Sequence, residues 1–165
     1  MTATDADWAR AYAKQALSDL RAREALIAAN VEKCHRLHFL QMAAEKICKA
    51  SLVKTHGHDQ VRRTHACVQK QLPNIAREVF SKNKGTKTQN WQMNSIRRFA
   101  REIELVAPAC DAADTREDNS EYPWLDAQGT VQTPCEYSFP DINDGDKMIV
   151  QLIRLIRSAA EDIVR

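Results

Sequence analysis

Residues 7 to 54 run without one proline or glycine, and their apolar side chains recur every three or four positions. A stretch of that kind predicts paired amphipathic helices, because strands need alternation and loops need turn residues. Trp8, Tyr12, Ala16 and Leu20, with Ala13, Leu17 and Ile27 beside them, predict a helix over 7–30, capped within Thr4 to Asp7. Over 32–54, Leu37, Leu40, Ala44, Ile47 and Ser51 share one face, Lys46 and Lys49 fall off it, and Gly57 ends the element. From Gln60 onward, Val61, His65, Val68, Leu72, Ile75 and Val79 predict a third helix, kinked or restarted at Pro73.

The basic stretch Ser81 to Thr88 reads as a loop. A fourth helix over 89–107 is expected to turn Trp91, Ser95, Phe99, Ile103 and Val106 inward and Arg97, Arg98 and Arg101 outward, until Pro108 stops it. The last helix opens near Met148 and is apolar over more than half its circumference. No strand-like alternation occurs outside 109–146, and no repeat is visible. The expectation is one all-α domain over 1–165, an up-down bundle of about five helices with a long acidic loop before the last.

Composition narrows the function. No run approaches the ~20 apolar residues of a membrane span, so no membrane partner is expected. The first ten residues carry Asp5 and Asp7 and no apolar core of a secretory signal, which points to the cytoplasm. The five cysteines, Cys34, Cys48, Cys67, Cys110 and Cys135, are odd in number and contain no C-x-x-C pair. They indicate neither a disulfide framework nor a zinc ribbon. His56-Gly57-His58 with His65-Ala66-Cys67 matches no structural metal quartet, so neither a metal nor a cofactor is expected.

Charge is unevenly spread although the net value is only +2. Residues 61–101 hold ten bases against the single acid Glu78, and residues 102–146 hold twelve acids against Arg116. Arg62, Arg63, Lys82, Lys84, Lys87, Arg97, Arg98 and Arg101 form a face suited to a phosphate backbone. Alternatively the acidic segment folds back over them. In that arrangement Trp124 and Tyr137 anchor the segment on the bundle, while Asp111, Asp114, Glu117, Asp118 and Glu121 lie near the arginines.

The second predicted helix carries His38-Phe39-Leu40-Gln41-Met42-Ala43-Ala44-Glu45-Lys46-Ile47-Cys48-Lys49-Ala50, followed by Thr64-His65 and preceded by Trp8 and Asp19-Leu20. Over residues 8 to 80 this resembles the HEPN family of small prokaryotic helical bundles, whose motif helix reads f-x-Q-x-A-A-E-K-x-x-K-A. Glu121-Tyr122-Pro123 stands where the family has Arg-Tyr-Pro. The resemblance implies a helical bundle acting on RNA or a nucleotide, in a toxin–antitoxin or defence setting, with a nucleotidyltransferase-type partner and a homodimer.

Gln41, Glu45 and Lys49 are the motif residues. As an exposed i,i+4 pair, Glu45 and Lys49 would contribute only ~0.3–0.5 kcal/mol. Family ribonucleases space their catalytic pair as Arg-x4-6-His, and no arginine stands at that separation before His35, His38, His56, His58 or His65. A ribonuclease here would need a pairing across helices, with His65 as general acid or base and Arg97 or Arg101 stabilising the phosphorane. The leading expectation is therefore a binding module using Arg62, Arg63, Lys87, Arg97, Arg98 and Arg101. A structural subunit whose loop aromatics, Tyr122, Trp124, Tyr137 and Phe139, meet a protein partner stands as a third reading.

Overall fold

Helix α1, Asp5–Ala28, begins at a capping box: the Thr4 hydroxyl accepts from the Asp7 N–H, and the Asp7 carboxylate accepts from the Thr4 N–H. Those bonds, with Arg10 beside them, lower the Asp7 carboxyl to about 2. Helix α2, Lys33–His56, returns antiparallel to α1. Trp8 stacks on His58 at one end, with ring centroids 3.6 Å apart, and Lys46 reaches Asp19 nearer the middle. Ala9, Ala13 and Ala16 are buried along this seam, and small side chains there let the two backbones approach closely. Gly57, at φ 74°, takes the left-handed turn that stops α2.

The computed structural model describes residues 3–82, 90–110 and 117–165. Lys84 and Lys87 of the expected basic face, and Asp111 and Asp114 of the expected cover, lie outside the described residues.

The third predicted helix is two elements. A single turn, α3 (His58–Val61), is followed by a connection over 62–67 and then by α4 (Val68–Lys82). The break is held from both sides. The Lys49 ammonium and the Thr64 hydroxyl donate to the carbonyls of Arg62 and Gln60, at 3.5 and 3.4 Å, which satisfies groups a continuing helix would have paired. The new start is capped from another helix: a carboxylate oxygen of Glu104 accepts from the Gln69 N–H at 3.0 Å, where the helix dipole also favours a negative charge. His65 therefore sits in the connection and not on an apolar helical stripe. Pro73 lies inside α4 and is not where the helix restarts.

Helix α5, Asn90–Leu105, buries Met93, Ile96, Phe99, Ala100, Ile103 and Glu104. Trp91 does not face inward as expected; it is 53% exposed. Helix α6, Lys147–Val164, is capped by Asp146, whose carboxylate accepts from the Met148 N–H at 2.7 Å. It buries Ile149, Leu152, Leu155 and Ile156 against the others.

The described part of the acidic segment is built into the bundle. Strands β1 (Trp124–Leu125) and β2 (Val131–Gln132) pair antiparallel around a turn held by Asp126, whose carboxylate accepts from the Gln128 and Thr130 N–H groups and from the Gln132 amide. Phe139 and Ile142 are fully buried in the common core. Trp124 and Tyr137 pack edge to face beside Phe139, with centroids 5.1 Å apart. Of the four loop aromatics, Tyr122 is the one that stays open to solvent, at 62%. The chain is thus a mostly helical bundle, with this hairpin as the sheet among the described residues.

Candidate functional site

On α2, His38, Gln41, Glu45 and Lys49 recur at three and four residues and make a polar stripe beside the apolar face of the helix. Glu45 is its centre. One carboxylate oxygen holds the Lys49 ammonium at 2.7 Å, and the other accepts from the Gln41 amide at 3.1 Å. Gln41, Glu45 and Lys49 are 2%, 7% and 6% exposed. The sequence placed Lys49 off the apolar face, and it is nonetheless buried, because the 62–67 connection folds over it.

His65 closes this connection. Its Nδ1 lies 3.5 Å from the Glu45 carboxylate, while its side chain is 58% exposed. A buried carboxylate fixed by two other donors thus sits behind an imidazole at the surface, which is how an acid or base is oriented. The surroundings are acidic and partly dry. Burial, together with the Glu45 and Glu104 carboxylates, pushes the Cys110 thiol up to about 12. Cys67 lies beneath, its thiol 4.0 Å from the Glu45 carbonyl oxygen. At the rim, His38 Nδ1 approaches Glu121 at 3.5 Å.

The second feature is a basic face. Helices α4 and α5 run antiparallel, with Gln69 bound to Glu104 at one end and Phe80 beside Gln92 and Ile96 around a cavity of about 270 Å³ at the other. Arg62, Arg63, Lys70, Arg77, Arg97, Arg98 and Arg101 are all exposed here. Arg77 and Arg97 donate to the neutral side-chain oxygens of Asn74 and Asn94, at 2.7 and 2.9 Å. The Arg98 guanidinium lies 4.9 Å from the Phe99 ring centroid. Among the described residues the Arg62 side chain meets only Asp59, at 3.8 Å, and Asp59 is itself 92% exposed.

Elsewhere the pattern differs. Arg23 and Arg36 converge on Asp144, Lys46 is bound to Asp19, and Arg157 to Glu24. Lys82, counted with the basic face in the sequence, is drawn to Asp162 on α6 at 2.9 Å.

This geometry bears on two expectations. His65 is partnered by Glu45 and Arg97 by Asn94; among the described residues, no contact joins His65 to Arg97 or Arg101. Of the carboxylates expected over the arginines, Glu121 meets His38 instead, while Asp111 and Asp114 lie outside the described residues. Sequence reasoning missed Glu104, although an acid between Ile103 and Ala107 on the buried arc of α5 was a signal of a partnered carboxylate. Compared with protein-family models, curated proteins and solved structures, the chain finds no match.

Proposed function

We propose that this chain is a nucleic-acid-binding helical module of HEPN-like character, and that the α4–α5 face with the Arg62-Arg63 connection takes the phosphate backbone. The observation that carries the reading is the state of its cations. Arg77 and Arg97 are steadied by neutral asparagines and Arg98 by an aromatic ring, so their charge stays available to an external anion. The resemblance of the Gln41, Glu45 and Lys49 helix supports the same assignment. It also carries the proposed setting, a prokaryotic toxin–antitoxin or defence pair with a nucleotidyltransferase-type partner and a homodimer. In this reading the buried stripe is a structural lock that shapes the 62–67 connection and presents Arg62 and Arg63.

Arg97→Ala combined with Arg101→Ala should weaken binding of a mixed RNA or DNA pool and reduce the log–log salt slope by up to ~2, since each phosphate contact contributes just under one. Unchanged affinity and slope in that double variant would remove this face from consideration. A second reading, ribonuclease activity, is favoured by one observation, the exposed His65 held by buried Glu45. Time-dependent cleavage in the same binding mixtures, with no metal added, would move the assignment to it.

A further inference from the structure

We propose that the α5 face is a reader of single-stranded nucleic acid in particular, with Trp91 as a stacking platform for an unpaired base; this rests on the polyanion reading above. Three observations combine. The Trp91 ring is 53% exposed at the first turn of α5, although an indole in a helical bundle has much to gain from burial. The 3.6-residue repeat puts Trp91, Asn94, Arg98 and Arg101 along one stripe of the helix, with Glu102 at its far end one turn past Arg98. Arg97, at the edge of that stripe, is turned toward the N-terminal end of α5 by its bond to Asn94, one helical turn from the indole.

This juxtaposition has a specific chemical meaning. Arg98 lies ~10 Å and Arg101 ~15 Å along the helix from Trp91 at 1.5 Å per residue, so a strand whose phosphates follow the guanidinium groups runs its base toward the indole. A duplex cannot use that platform, because its base faces are already stacked on each other. A single strand offers a free π-face at every base, so the contact tolerates sequence. An acidic protein would satisfy the arginines and leave the aromatic ring without a flat partner. The mixture of cations and one aromatic on a common stripe therefore selects a strand of unpaired bases.

The test uses the full chain with three probes at low salt: a short fluorescent oligothymidylate, the same strand annealed to its complement, and heparin, which carries anionic groups but no bases. The single strand should bind best, and Trp91→Leu should lower its affinity by about 5- to 100-fold while leaving heparin binding within about twofold. Trp91→Phe, which keeps a ring face, should restore most of the loss. Trp91 is exposed, so both variants should melt as the parent does, and the melts are measured alongside. Equal affinity for single strand and duplex, or no effect of Trp91→Leu, would overturn the platform while the polyanion reading stands. Failure of all three probes to bind would overturn the polyanion reading and the platform with it.

Discussion

The Glu45–Lys49 pair distinguishes a surface decoration from a structural lock, and its removal can be worked through in energies. At 10% and 8% side-chain exposure, both charges have lost most of their water, so breaking the pair costs far more than forming it gains. Lys49→Met leaves the Glu45 carboxylate with Gln41 at 3.1 Å and His65 at 3.5 Å. Because His65 can still approach from solvent, this variant should fall near the lower end of the ~3–5 kcal/mol expected for an orphaned buried charge. Glu45→Leu should cost more. Among the described residues it leaves the ammonium with only the Arg62 carbonyl, at 3.5 Å, and it also removes the acceptor of the Gln41 amide. The double variant deletes both charges together, and its residual cost should be the unpaired Gln41 amide, ~1–3 kcal/mol. The singles and the double should thus be non-additive by ~3 kcal/mol or more. Urea unfolding of the four proteins, with midpoints compared at constant slope, measures this. If each single variant costs under ~1 kcal/mol and the two add, the pair behaves as a solvated i,i+4 contact, and the burial argument for the stripe is refuted.

Two further outcomes are expected. Phe139→Ala should cost ~3–5 kcal/mol by opening a cavity in the common core, because Phe139 is fully exposed to packing on every side and to solvent on none. A thermal or urea melt within ~0.5 kcal/mol of the parent would mean that the acidic segment is not part of the fold. The Asp7 carboxyl, lowered from 3.8 to about 2 by Thr4 and Arg10, should stabilise the folded chain fully above pH 3.8 and lose that contribution as the pH falls toward 2. Urea midpoints compared across that window should converge for the parent and Asp7→Asn; a constant separation down to pH 2 would show that the capping box does not hold Asp7 ionised.

The helices legible in the sequence are those whose boundaries are set locally. Thr4 with Asp7 opens α1, Gly57 closes α2 and Asp146 opens α6, each within a turn of the residues it controls. The division of the third predicted helix was not legible, because the groups that stabilise it come from elsewhere in the chain. Lys49 takes the Arg62 carbonyl and Glu104 takes the Gln69 N–H. The apolar spacing from Val61 to Val79 says nothing of either. The burial of Lys49 was hidden for the same reason: a charged side chain beside an apolar stripe reads as solvated until a connection from another part of the chain covers it. The exposure of the basic face was legible, since arginines opposite an apolar arc stay in water whatever packs beneath them.

What became of the acidic segment depends on which side of the bundle its apolar anchors enter. Phe139 and Ile142 are buried, and Lys33 on α2 donates to the carbonyls of Ser138 and Phe139, both at 2.8 Å. The chain leaving Ile142 then has only Asn143 before Asp144, too short a reach to carry that carboxylate away from Arg23 and Arg36. Sequence charge alone could not reveal this, because ten bases and twelve acids in adjacent blocks are equally compatible with mutual neutralisation. Two buried apolar side chains decide it. By fixing Asp144 on the α1–α2 side, they direct part of the chain's own negative charge away from Arg97, Arg98 and Arg101, and arginines that form no ion pair among the described residues meet the condition an external phosphate backbone requires.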